Sequence, residues 1–209
     1  MTTTKSYLNK VMHDRKSVRK YEANYKIPQS DLEELLIEAT TAPSSSNLQP
    51  WRFLVIQDDA VKKDLRLIAN NQEQVETASA IIAVLGDTEM YNNVEEVYTK
   101  NFELGYMDEA TKNMMIENSL KLYPNLPKEI LKNIATFDAG LISMQIMLLA
   151  KDMGYDTVTM GGFNKEAFAE RFELTDNLVP IVLIAIGKAA AAAAYGSSRL
   201  ALNDIAKFI

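Results

Sequence analysis

Cysteine is absent from the 209 residues, which excludes disulfides, thiolate metal sites and thiol nucleophiles. Histidine occurs once, as His13. A Ser-His-Asp triad would have to be built around that one imidazole, and a zinc site would have to be mostly carboxylate; both readings are poor. The eight glycines form neither a GxGxxG pattern nor a Walker loop, so the usual dinucleotide and nucleotide fingerprints are missing. The formal net charge is -6 and no strong local basic patch offsets it, so no nucleic-acid partner is expected. Apolar runs such as 179–186 fall short of the ~20 residues that cross a bilayer. The N-terminal stretch "MTTTKSYLNKVMHDRKS" carries charge throughout and has no apolar centre of signal-peptide type. A soluble protein in the cytoplasm, with no membrane partner, is the expectation.

What is present supports one substantial core. Hydrophobic residues make up 47% of the chain, and the length suits a single domain spanning 1–209. Four compact runs rich in β-branched or aromatic residues read as strands: 51–57, 80–87, 155–161 and 179–188. Between them, Leu32, Leu35, Leu36 and Ala39 share one face of a helix predicted over 31–41, with Ser30 placed to cap it. The segment 138–153 is apolar around most of its circumference, so it should be buried on nearly all sides, in the domain centre or against a second subunit, with Gly154 ending it. Residues 88–135 are charged and helix-prone, and "YPNLP" at 123–127 interrupts helical propagation. This is a helical excursion, whose Tyr91, Tyr98, Phe102, Tyr106 and Tyr123 suit either ordinary packing or a lid over a flat ligand. The alanine run at 189–194 fits an engineered stretch or a natural alanine-rich turn equally well.

Three pieces could carry chemistry. "RKSVR" at 15–19 concentrates three cations and a hydroxyl in an acidic protein, which suits either a phosphate or a merely solvated turn. In "TTAPSSSNLQPWRFLVI" at 40–56, a helix stop precedes Ser44, Ser45, Ser46 and Asn47, and a buried-type strand follows. Such strand-end loops often hold ligands, while Trp51 reads as a core anchor. "MGGFN" at 160–164 follows a strand, and its paired glycines would permit positive φ and a close approach of backbone N–H groups to a ligand.

Taken in order, Arg-x-Ser-x-Arg, Ala-Pro-Ser-Ser-x-Asn-x-Gln-Pro-Trp, the Gly-Gly-Phe after a strand and a late Ser-x-Arg-Leu resemble the nitroreductase-like family of FMN-dependent flavoproteins. "FDAGLISMQIMLLAKDMGYDT" at 137–157 adds to the likeness, which covers nearly the whole chain. The resemblance implies an α+β fold with a central, mostly antiparallel sheet flanked by helices, in an intertwined homodimer with FMN at the subunit interface. It implies that Arg15 and Ser17 contact the phosphate, with Lys16 contributing its backbone and stem, and that Arg19 faces the N1/O2 edge of the flavin. Pro43, Ser44, Ser45 and Asn47 would come from the other subunit and border the ring and ribityl chain. Asn71 and Gln72 match an amide position near the pyrimidine or ribityl oxygens, in a register uncertain by one residue. Gly161 and Gly162 match backbone donors to N5 and O4, and Arg199 matches a C-terminal phosphate ligand. Ser197 stands where some relatives carry a lysine.

The implied activity is ping-pong transfer of two electrons from NAD(P)H through FMN to a small flat acceptor, nitroaromatic or quinone-like. No acid–base side chain is then obligatory, which agrees with one histidine and no cysteine. The alternatives are an FMN-binding redox or sensing protein without turnover, or a related branch acting on enones, halogenated substrates or flavin itself.

Overall fold

The computed structural model describes residues 6–193 and 195–209; Ala194, the last residue of the alanine run, lies outside them. Four strands form one antiparallel sheet in the order β1-β2-β4-β3: β1 (Trp51–Ile56), β2 (Ala80–Asp87), β3 (Asp156–Met160) and β4 (Leu178–Gly187). Each matches a run expected from the sequence within one or two residues. β2 is buried at every position, because both faces of the sheet are covered; a central strand of this kind reads as a continuous apolar run without alternation. Pro180 is tolerated in β4 because it pairs beside the bulge between Val84 and Leu85, beyond the stretch that β3 pairs.

Nine helices are described: α1 (Tyr7–Asp14), α2 (Gln29–Ala39), α3 (Asp59–Ile68), α4 (Glu73–Thr77), α5 (Val94–Glu103), α6 (Glu109–Leu122), α7 (Lys128–Asp152), α8 (Lys165–Arg171) and α9 (Leu202–Ile205). One face of the sheet meets α2 and α7, where Leu32, Leu35, Ile142 and Ile146 close over Ile82, Val84 and Ile184. The opposite face carries Ile81, Ala83, Leu85, Leu183 and Ala185 against Leu65, Phe163 and Phe168. Trp51 is buried in the first of these clusters, the core anchor that its position before a strand suggested.

Two expectations need correction. Ser30 does not cap α2: the helix starts at Gln29, with Pro28 at the cap position and no side-chain bond there. Proline already holds a suitable φ, and its carbonyl accepts from the Asp31 and Leu32 N–H groups. The apolar helix begins not at 138 but at Lys128, so α7 runs 25 residues and takes in the end of the excursion. It alone among the described helices is long and apolar enough to cross a membrane, yet Ala135, Asp138, Ala139, Ile142, Ile146 and Ala150 are buried in the protein itself. Gly154 does end α7 as expected, at φ 80°.

The rest of the 88–135 segment forms α5, α6 and short 3-10 turns, packed through a third cluster of Met90, Val94, Tyr98, Tyr123 and Leu131 around Leu48. Tyr98 and Tyr123 are therefore packing residues, whereas Phe102 and Tyr106 remain exposed.

Lys62 is an unusual core member at 1% exposure. Its ammonium donates to the Ala78 carbonyl at 2.5 Å and pairs with Asp59 at 3.0 Å. Lys26 also donates to Asp59. Hydrogen bonds from Lys26 first, then from Lys62, pull the Asp59 carboxyl from 3.8 to about 2. A carboxyl lowered on folding contributes stability that is complete above 3.8 and is lost as pH falls through about 2. Asp59→Asn should accordingly flatten the acid limb in urea-unfolding midpoints measured over that window; parallel curves for the variant and the parent would refute the linkage.

Candidate functional site

The cations of the 15–19 segment sit on a strap tied to the sheet. The strap leaves α1 at Arg15, whose N–H closes the helix on the Val11 carbonyl at 2.9 Å. Ser17 bridges Thr157 of β3 in parallel register, and the Val18 N–H donates to the Thr157 carbonyl at 3.1 Å. Val18 is buried, while Arg15 and Ser17 are half-buried and Arg19 exposed. The spacing of two fits an extended chain, which sends residues 15, 17 and 19 to one side and the apolar residue to the other. Tyr21 then anchors the strap: its ring lies over the end of β4 and its hydroxyl donates to the Ala185 carbonyl at 3.1 Å.

Arg15, Lys16, Ser17, Arg19 and Arg199 line one cavity of about 550 Å³. Arg199, far away in sequence, thus shares a cavity with the N-terminal cations. Its guanidinium donates to the Ser197 carbonyl and hydroxyl and to the Ser198 carbonyl, so Ser197 organises the arginine in this loop. Four residues without a counterpart in the sequence analysis also line the cavity: Met12, His13, Met144 of α7 and Tyr195, whose ring lies 5.8 Å from the Arg19 guanidinium. In the sequence nothing local marks His13 as a cavity wall. Among the described residues no cluster of three or more His, Asp or Glu is arranged to hold a metal.

The glycine pair directly follows β3. Neither Gly161 nor Gly162 has positive φ, which corrects the conformational role expected for them. The space around them is what matters: a Cβ on Gly161 would meet nothing within 4 Å, and one on Gly162 only the Asn70 amide at 3.9 Å. Both residues are exposed, so hydrogen in place of a side chain leaves room for a flat group against the backbone. Gln72 and Asn70 donate to the Gly162 carbonyl at 3.1 and 2.9 Å, which directs that peptide. Asn71 turns away and accepts from Arg66 at 2.8 Å. The register left open by one residue therefore divides: Gln72 faces the glycine pair, Asn71 does not, and Asn70 is the amide that went unnoticed.

Residues 43–47 lie elsewhere on the same chain. None of them lines the cation cavity; Asn47 borders a different one, of about 380 Å³, with Gln49, Arg52 and α5. Ser45 gives both donors to Asp138 of α7, its N–H at 2.9 Å and its hydroxyl at 3.1 Å. The Ser44 hydroxyl accepts the Gln49 N–H at 3.1 Å. Pro43 and Asn47 are exposed. Burial pushes the Asp138 carboxyl above its ordinary value, while the two Ser45 donors pull it back.

An α+β protein with a cation-lined anion cavity, an unobstructed glycine pair and a separate polar loop is suited to hold a phosphorylated, flat cofactor. Comparison with known proteins fits that class. The nitroreductase family model matches residues 12–188. The chain is 44% identical over 200 residues, 95% of each chain, to YdgI of Bacillus subtilis, provisionally named an NAD(P)H nitroreductase. It is 36% identical to the CLA biosynthesis enone reductase of Lactiplantibacillus plantarum, over 86% of this chain and 84% of that one. A crystal structure of a nitroreductase-type protein in complex with FMN, from Exiguobacterium sibiricum, superposes with a TM-score of 0.93 at 42% identity, covering 100% of both chains. The chain belongs to the nitroreductase family, and both its family and its α+β fold are those that the sequence pattern implied.

Proposed function

We propose that this chain is an FMN-dependent oxidoreductase that passes two electrons from NAD(P)H to a small, flat, electron-poor acceptor of nitroaromatic or quinone-like type. It works as a single FMN-binding domain in a cytoplasmic homodimer. The observation that carries the reading is the cavity where Arg15, Lys16, Ser17, Arg19 and Arg199 converge in a chain of net charge -6. Such a donor set fits a phosphate ester, and the open faces of Gly161 and Gly162 fit an aromatic ring system. Bound FMN supplies the hydride acceptor and donor that no side chain of this protein can replace.

The residues then divide the labour. Arg15, Ser17 and Arg199 bind the phosphate by charge-assisted bonds, with Lys16 alongside. Arg19 places positive charge at the pyrimidine edge, where it favours the reduced, anionic form. Gln72 orients the Gly162 peptide toward the ring, while Asn71 supports Arg66 at the rim. A second copy supplies Pro43, Ser44, Ser45 and Asn47, since in one chain this loop and the cation cavity are separate. Exposed Tyr7, Leu8, Met12, Phe137 and Met144 on α1 and α7, and the wholly exposed segment 195–209, support such a pairing.

Arg19→Ala is expected to slow flavin reduction by NAD(P)H by roughly ten- to a hundredfold, below the roughly hundred- to thousandfold scale of a water-excluded electrostatic donor because Arg19 is exposed, while FMN affinity falls far less. Anaerobic stopped-flow at saturating FMN reads both; an unchanged reduction rate would contradict the role of Arg19. Re-oxidation of the reduced enzyme by a nitroaromatic, a quinone and an enone then identifies the acceptor. The enone is the second reading, favoured by the 36% identity to the enone reductase. A yellow protein that NADH and NADPH both fail to reduce would instead be a flavin-binding module without turnover.

A further inference from the structure

The 43–47 loop has a backbone that its residues do not favour. Ser46, Asn47 and Gln49 all sit at positive φ, 49°, 55° and 49°, where residues with a Cβ are uncommon. Such conformations persist only where the surroundings over-determine them. Here the surroundings come from three directions. Asp138, 1% exposed on α7, takes both donors of Ser45. Tyr98 of α5 donates to the Ser46 carbonyl at 2.9 Å. Tyr123, just after α6, shares a 2.7 Å hydrogen bond with the Ser46 hydroxyl. Leu48 is plugged into the third core cluster directly behind, and Asn93 donates to its carbonyl at 2.8 Å. The serines thus spend their hydrogen bonds on the loop's own shape, and Asn47 is left projecting with its side chain exposed.

We propose that Asp138, Tyr98 and Tyr123 are positioning residues for FMN: they clamp the 43–47 loop in its strained shape, so that Asn47 and Pro43 are preset against the flavin of the partner subunit. The proposal rests on the FMN-site reading above and goes beyond it, because none of the three side chains belongs to the binding set. It also makes α5 and the end of α6 part of the coenzyme site, through two phenol hydroxyls rather than as a lid.

The experiment uses the full-length protein with three changes: the pair Tyr98→Phe/Tyr123→Phe, which removes only hydroxyls, Asp138→Ala, and Asp138→Asn. Asparagine can still accept the Ser45 N–H and can donate to the hydroxyl, so it serves as the conservative rescue. Amide hydrogen exchange over 44–49 is followed in the apoprotein, and FMN and riboflavin affinities are measured by fluorescence quenching. The phenylalanine pair and Asp138→Ala should speed loop exchange and weaken FMN and riboflavin alike by about tenfold, the worth of one or two hydrogen bonds, with Asp138→Asn recovering most of the loss. Equal loss for both flavins is expected because the loop meets the ring and ribityl chain, not the phosphate. Loop exchange unchanged in the first two variants, or flavin affinities within twofold of the parent despite faster exchange, overturns the clamp. A parent protein that binds neither flavin sinks the FMN-site reading instead, and is recognised before any variant is compared.

Discussion

Arg15→Ala lowers FMN affinity by roughly ten- to a hundredfold and leaves riboflavin affinity nearly unchanged. The size follows from losing one charge-assisted hydrogen bond to a phosphate, about 1.5–3 kcal/mol. The selectivity follows from position: Arg15 caps α1 and lines the same cavity as Arg199, so in the proposed site it serves the phosphate and not the ring. Fluorescence titration of the apoprotein with each flavin makes the comparison, and raising the salt should narrow the difference as screening grows. Equal losses for FMN and riboflavin would mean that Arg15 supports the fold of the cavity rather than the phosphate.

Gly187→Val destabilises the protein by about 2–3 kcal/mol, the scale of forced overpacking, and lowers the thermal midpoint by roughly 5–10 °C for a chain of this size. A Cβ at this position would lie 2.8 Å from Cδ1 of Tyr21, 3.2 Å from the Ser79 backbone nitrogen and 3.3 Å from its hydroxyl. None of these can yield cheaply: Tyr21 is buried with its hydroxyl on the Ala185 carbonyl, and Ser79 is held by its bond to the Tyr25 carbonyl at 2.6 Å. Tyr21 also fastens the strap that carries Arg15, Ser17 and Arg19, so FMN affinity should fall together with stability. Calorimetry alongside an FMN titration tests the coupling. A variant that loses stability but binds FMN like the parent would show that the strap does not depend on Tyr21 for its position.

Local chemistry made much of this molecule legible. β2, and β4 from Leu183 onward, are written as nearly unbroken apolar runs because both of their faces are buried, and Arg15, Ser17 and Arg19 keep the alternation of an extended chain. Gly154 ends α7 because its φ of 80° suits glycine. The start of α2 departs from the local pattern: a serine beside a helix is a common cap, whereas here the preceding Pro28 takes that place.

What could not be read from the chain is whatever depends on partners distant along it. Asp138 lies 93 residues from Ser45, Tyr98 lies 52 from Ser46 and Tyr123 lies 77 from it, so no spacing rule links them. Only the packing of α5, α6 and α7 against one loop shows that the serines are tied down and that Asn47 is the group left projecting. In the same way, the amides of Asn70 and Gln72 reach Gly162 across about 90 residues. Backbone preference and apolar patterning act between near neighbours and therefore determined the strands, the helices and the cation strap. Hydrogen bonds between elements depend on how the elements dock, so which side chains shape the site was decided by the tertiary structure alone.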